Sequence, residues 1–270
     1  MKTSTLVILI LILAFVVYCA VSCAEEEKKN EYSHRTKYVY FGAPTNFLLH
    51  KNSITPALPI EPKDNYQEVK ILEDNWETIR DEAISIFKNN IESDSHGAGL
   101  FKNFTKSWTR FYLKWYGRSE MKNAREYAPK TMKLLDQIPE IHLALFSIMP
   151  PGTYLHAHRG PYAGSLRYHL GLQCPKEKCH IIVAGIPYKW RDGEGILFDD
   201  TYTHEVYNNS DETRIILFCD IQRKMDSSWK DSLLTWANKS LLPIADKVNS
   251  SIEQRSEKKQ ETRFHFDGLV

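Results

Sequence analysis

Histidine carries the chemical reading of this chain, because six of its ten copies fall between residues 142 and 204. They are His142, His156, His158, His169, His180 and His204. A neutral imidazole ligates iron, zinc and copper alike, so a dense set on short strands points to a metal and leaves the choice of metal to its neighbours. Two histidines and one carboxylate with open positions mark non-haem Fe(II) sites. In an H-x-D motif that carboxylate stands two residues past the first histidine, and here that residue is Gly160. Asp199 and Asp200 precede His204, but strand alternation directs neither of them to a metal. A zinc hydrolase would need three protein ligands and a nearby base. That reading is the weaker one.

Two arginines add a second constraint. Arg167 lies in LRYHLGL and Arg214 in TRIILFCD, both otherwise apolar strand-like runs. A guanidinium turned into a small barrel needs an anion, since leaving it unpaired in low dielectric is costly. No acid in the same runs is an evident match, so the expected partner is a bound carboxylate, held two-pronged by the guanidinium fork. The competing reading turns both arginines outward onto surface acids.

The elements that must position these groups are short. From Ile141 onward, HLALFSIM, LRYHLGL, CHIIVAGI, GILFD, HEVYN and RIILFCDIQ are β-prone runs separated by PPG, GPYAG, PKEK, RDGEG and NNSDE turns. Such close spacing predicts an antiparallel sandwich or barrel over 141–223. Upstream, 71–140 reads as helical. Asp74 stands three residues before Glu77, a capping-box spacing, and Trp76, Ile79, Ala83, Ile84 and Phe87 fall on one face. The aromatic stretch 101–117 is read as packing, and Pro129 opens a short helix. Residues 25–70, broken by Pro56, Pro59 and Pro62, read as a linker draped over the domain. Residues 224–248 return to helix with Trp229, Leu233, Trp236, Leu241 and Ile244 on one side, and 249–270 form a charged tail.

Composition narrows the class. A chain of 270 residues with 35 Lys+Arg against 34 Asp+Glu and 12% aromatics buries a large core and is neither disordered nor collagen-like. A net charge of +1 gives no nucleic-acid footprint. Five scattered cysteines without a C-x-x-C pair exclude a disulfide scaffold and a structural zinc module. Residues 5–24 contain no charge and suit either a single-pass anchor, centred on 6–22, or a signal peptide cleaved after Ala24. The chain is therefore expected at a membrane or in a secretory lumen. Sequons at Asn103, Asn208, Asn238 and Asn249 mildly favour the latter, and Cys174 and Cys179 flank a turn across which they would either pair or remain thiols.

The runs SIMPPGTYLHAHRGPYAGSLRYHLGL, WRDGEGILFDDTYTHEV and TRIILFCDIQR resemble the aspartyl/asparaginyl β-hydroxylase family. DNWETIRDEAISIF, RFYLKWYG and YAGSLRYHLGL are most similar to its lipid A acyl-chain hydroxylase branch. The resemblance implies a double-stranded β-helix (a jelly roll, mainly β with flanking helices) and a dioxygenase using Fe(II), 2-oxoglutarate and O2. It further implies His158 and His204 as iron ligands, Arg214 with Ser147 on the far carboxylate of 2-oxoglutarate, and Arg167 with His169 near the other carboxylate. His156 and His180 match no functional position. Gly160 departs from the lipid branch, which has an aspartate there, and agrees with the animal enzymes, which bind iron through two histidines. The implied substrate is a lipid acyl chain or an Asp/Asn side chain of a secretory protein. A non-catalytic jelly-roll binding protein is the alternative.

Overall fold

The computed structural model of the chain describes residues 45–55, 58–89, 108–116, 121 and 123–240. The apolar segment 5–24, the sequons at Asn103 and Asn249 and the charged tail lie outside the described residues. Among the described residues, nine strands form two antiparallel sheets. They are β1 (Thr109–Lys114), β2 (Ile141–Met149), β3 (Thr153–His158), β4 (Ser165–Gln173), β5 (Cys179–Val183), β6 (Ile186–Tyr188), β7 (Gly195–Phe198), β8 (His204–Asn208) and β9 (Arg214–Gln222). The larger sheet runs β1-β2-β9-β4-β7 and the smaller β3-β8-β5-β6. This is the expected jelly roll, with the site carried on the faces the two sheets turn toward each other.

The larger sheet is buried on both sides, and its sequence shows why. In β4, Leu166, Tyr168 and Leu170 point away from the barrel, while Arg167 and His169 point into it. The register His169↔Phe218 and Arg167↔Asp220 puts β9 in the same phase. Helices α1 (Trp76–Lys88) and α2 (Pro129–Leu135) cover the outer side, burying Ile79, Ala83, Ile86, Met132 and Leu135. Each isoleucine, methionine or leucine among these contributes about 1.5–3 kcal/mol by leaving water. Phe87 falls off this face at 38% exposure, so the buried stripe is rotated one residue from the expected one. The capping box is not formed either. α1 starts at Trp76 with Asn75 as its cap, and Asp74 pairs instead with Lys70 at 2.8 Å.

Three boundaries differ from expectation. The predominantly helical part contributes β1 to the larger sheet, as its edge strand against β2. CHIIVAGI is a hairpin, not one strand, because Ala184 and Gly185 take positive φ and turn β5 into β6. The supposed linker is integral from Asn46, which donates to Pro161 O at 3.0 Å and accepts Ala163 N–H at 2.9 Å. Glu61 N–H donates to Leu197 O at 2.9 Å, and Asp199 N–H to Pro59 O at 3.1 Å. Glu61 is buried and meets Arg223, whose fully buried guanidinium also pairs with Asp199, at 3.2 and 2.5 Å.

The closing helix α3 (Ser228–Ser240) is turned opposite to its apolar pattern. It buries Leu234 and Asn238, while Trp229, Leu233 and Trp236 are 64%, 54% and 56% exposed. No helix among the described residues is long and apolar enough to cross a membrane. The sequons at Asn208 and Asn238 are buried, with both amide nitrogens hydrogen-bonded inside the protein, so in the folded chain neither presents a glycan acceptor.

Candidate active site

His158 and His204 face each other across β3 and β8, as register partners with ring centroids 4.2 Å apart. Alternation alone would not place them so. Leu155 pairs with Val206 and points inward; three residues later, His158 would point outward. The ladder slips between Leu155 and His158, setting three steps of β3 against two of β8, and this bulge restores the inward phase.

Both rings are held in one tautomer. His158 Nδ1 lies 2.7 Å from His156 O, and His204 Nδ1 lies 2.9 Å from Tyr202 O. A carbonyl only accepts, so each Nδ1 carries the proton and each neutral ring has its lone pair on Nε2, the arrangement a metal requires. Desolvation holds the two histidines neutral, pushing His158 down to about 3 and His204 to about 4. No group of three or more metal-ligating side chains occurs among the described residues. The donors this site could offer a metal are these two imidazoles.

Beside them lies a pocket with unmet hydrogen-bonding capacity. Arg214 opens β9, is 2% exposed and donates through Nη2 to Ser147 Oγ at 2.8 Å. Trp108 Nε1 donates to the same hydroxyl at 2.7 Å. Arg214 Nε has no partner, and among the described residues no carboxylate lies within ion-pair distance. Burial depresses its basicity to about 10. The Trp190 ring stacks 4.7 Å from the guanidinium carbon, and its own Nε1 is buried without a partner. His169, 6.0 Å from Trp190 between ring centroids, has neither nitrogen satisfied. Burial and the positive field of Arg214 and Arg167 push it well below its usual range. Orphaned buried polar atoms normally cost about 1–3 kcal/mol each. Their collection on three neighbouring side chains, one cationic, is a lining that could satisfy an anion.

Arg167 is different. The expectation that it lacks an acidic partner fails, because its Nη2 donates to Asp200 and its Nε lies 3.0 Å from Asp220 Oδ1. Both acids were out of reach of strand-local reading: Asp200 sits in the turn before β8, and Asp220 faces Arg167 across the ladder. Desolvation raises both carboxyls, Asp220 to about 6, against the opposing pull of Arg167. Asp200 also explains Gly160. A Cβ on Gly160 would stand 2.1 Å from Asp200 Oδ2, and Gly160 N–H donates to Asp200 O at 2.6 Å. The Asp200 carboxylate thus fills the space that a side chain at 160 would take, close enough to His158 for its negative charge to act on that ring.

His142, His156 and His180 make packing and hydrogen-bond contacts away from this site. His156 and His180 pack on Tyr154 and Tyr207 on the outer side of the smaller sheet, and His142 bonds Gln222 at 3.1 Å. Trp108, Trp190 and Asp200 were not singled out as site residues from sequence, although Trp190 begins the quoted WRDGEG turn.

The model of the family described as Aspartyl/Asparaginyl beta-hydroxylase matches residues 73–224. The chain is 35% identical over 152 residues to an ornithine lipid ester-linked acyl 2-hydroxylase of Rhizobium tropici, covering 56% of this chain and 53% of that one. It is 38% identical over 173 residues to the human aspartyl/asparaginyl beta-hydroxylase, covering 59% and 22%. It is 32% identical over 178 residues to the aspartate beta-hydroxylase domain-containing protein 2 of Xenopus tropicalis, covering 62% and 47%. The chain thus spans about half the length of two of these relatives and about a fifth of the human one. The matched span runs from the turn before α1 to the end of β9 and holds the facing histidines, the buried arginine and its unsatisfied neighbours; by that match the chain belongs to the aspartyl/asparaginyl β-hydroxylase family.

Proposed function

We propose that this chain is an Fe(II)- and 2-oxoglutarate-dependent dioxygenase that hydroxylates an unactivated C–H bond. One observation carries the reading. A buried arginine without a carboxylate partner among the described residues lies in a cluster of unsatisfied polar atoms, beside two neutral imidazoles whose lone pairs are on Nε2. His158 and His204 would hold the iron. Arg214, with Ser147, would bind the far carboxylate of 2-oxoglutarate, and the unsatisfied nitrogens of His169 would meet its other end. When bound, iron and 2-oxoglutarate supply with O2 the oxidising power for C–H cleavage that no side chain has.

The chain's own contribution is binding and orientation. Ser147 and Trp190 fix the Arg214 fork before cosubstrate arrives, so little is lost in ordering it. Arg167 acts as a positioning residue: with two carboxylates already on it, it holds Asp200 beside His158. The apolar rings of Phe198 and Phe218 against His169 keep water from the pocket.

The substrate favoured here is the acyl chain of a membrane lipid. The rhizobial relative's name, the lipid-branch runs and an uncharged segment at 5–24 able to hold the domain at a bilayer support it. An Asp or Asn side chain of a secretory protein is the second reading, and Gly160 favours it. Anaerobic titration with Fe(II) and 2-oxoglutarate, followed by succinate release under O2, tests the class. Binding of both without succinate would leave a binding protein. Incubation with an acylated aminolipid and with an EGF-like peptide, read as gain of one oxygen atom by mass spectrometry, separates the substrates.

A further inference from the structure

We infer that the outward face of α3 is a membrane-docking surface, seating this end of the domain in the headgroup and upper acyl layer of a bilayer. Trp229, Leu233 and Trp236 follow one another at helical spacing on one side and are more than half exposed. The helix therefore turns its largest apolar groups to solvent and packs inward through Leu234 and the polar Asn238. The other exposed residues of the helix are Ser228, Ser232 and Lys239. The one acid of the helix, Asp231, is turned toward the domain, where it accepts Met225 N–H at 2.8 Å. A stripe of tryptophan, leucine and lysine without a carboxylate is the composition of an interfacial helix; indole rings settle at the headgroup level, and lysine meets anionic lipid.

A second segment extends the patch. Residues 45–51 are helical, with Phe47 and Leu48 at 48% and 50% exposure. This segment ends against the start of α3. Asn52 Nδ2 donates to Leu48 O at 2.6 Å, and its Oδ1 accepts Lys230 Nζ, also at 2.6 Å. Lys230 in turn lies over the Trp229 ring. The end of this segment thus lies beside Trp229, and only residues 25–44 separate the segment from the uncharged run 5–24. Twenty residues reach at most about 70 Å, so the patch lies within that distance of whatever surface that run enters. The exposed apolar area of α3 is on the order of 400 Å², about half of the ~800 Å² per partner in a stable dimer. That argues for lipid over a second copy. The inference does not depend on the iron reading.

The test is collisional quenching in the full chain, reconstituted into phosphatidylcholine/phosphatidylglycerol vesicles whose acyl chains carry bromine near the headgroup. Tryptophan emission should be quenched, and the double variant Trp229→Ser/Trp236→Ser should lose that quenching while keeping its melting temperature. Moving the bromine to the acyl terminus should weaken the effect. The inference fails if the double variant is quenched as strongly as the parent chain. It fails equally if aqueous iodide reaches the two indoles as well with vesicles as without. Shielding from iodide without bromolipid quenching would mean that protein, not lipid, covers the face. Because no turnover is measured, a failed iron assay and a failed quenching assay are separate results.

Discussion

A proton on Nδ1 of each facing histidine decides what the site can bind. Because His156 O and Tyr202 O accept those protons, His204→Ala removes a donor already in its ligating tautomer while giving up little packing. Iron-dependent succinate release should be abolished with the melting temperature within a few degrees of the parent; unchanged release would show that His204 is not a ligand. Arg214→Lys keeps the charge but loses the planar two-point contact and the stack on Trp190. Charge-assisted hydrogen bonds are worth about 1.5–3 kcal/mol, so 2-oxoglutarate affinity should fall by about tenfold or more, with iron affinity nearly unchanged. Titration calorimetry reads both, and a parent-like cosubstrate constant would mean that Arg214 binds something else.

At the scale of the element, the bulge in β3 and the turn before β8 decide which carboxylate can exist. Gly160→Asp should not create a third ligand, because Asp200 already occupies the space; we expect loss of activity and a lowered melting temperature. In Gly160→Asp/Asp200→Gly the clash is gone, and part of the lost stability should return; a double variant no more stable than the single one would disprove the overlap. The same elements show what was legible beforehand. The runs that became β2, β4, β7, β8 and β9 could be read because their apolar residues are continuous or alternate. β3 could not, since its bulge breaks alternation at the very residues that aim His158. The pairing of Arg167 with Asp220 needs the register between β4 and β9, and no single strand contains that information. α3 could be recognised as a helix but not its buried side, because an apolar stripe marks a surface that leaves water without saying what replaces it.

For the molecule as a whole, four desolvated histidines, three of them buried, make stability depend on pH. Desolvation holds His142, His158, His169 and His204 below the ordinary value of 6.5. The unfolded chain takes up protons as pH falls through about 6.5, while folded His204 resists to about 4 and His158 to about 3. Stability from these groups is thus present above 6.5 and lost as pH falls toward 4. The metal-free protein should melt at progressively lower temperature from pH 7 to 5, and His204→Gln should flatten the slope; a level profile would contradict the burial of these rings. The strap at 58–61 is tied to the barrel by Arg223 between Glu61 and Asp199. Arg223→Met leaves two buried carboxylates without their cation and should cost about 3–5 kcal/mol, read from urea unfolding.

The buried amide of Asn208 has a consequence of a different kind. Its nitrogen donates to Met149 O, Pro150 O and Glu212 O, so a sugar attached there would break three contacts and force β8 away from β2. In a cell that glycosylates nascent chains, strand closure and the transferase would compete for one atom. Any molecule that loses the race carries a permanent mark: a glycan at Asn208 would label chains that had not closed, and its occupancy, measured by mass spectrometry of secreted material, would time barrel formation.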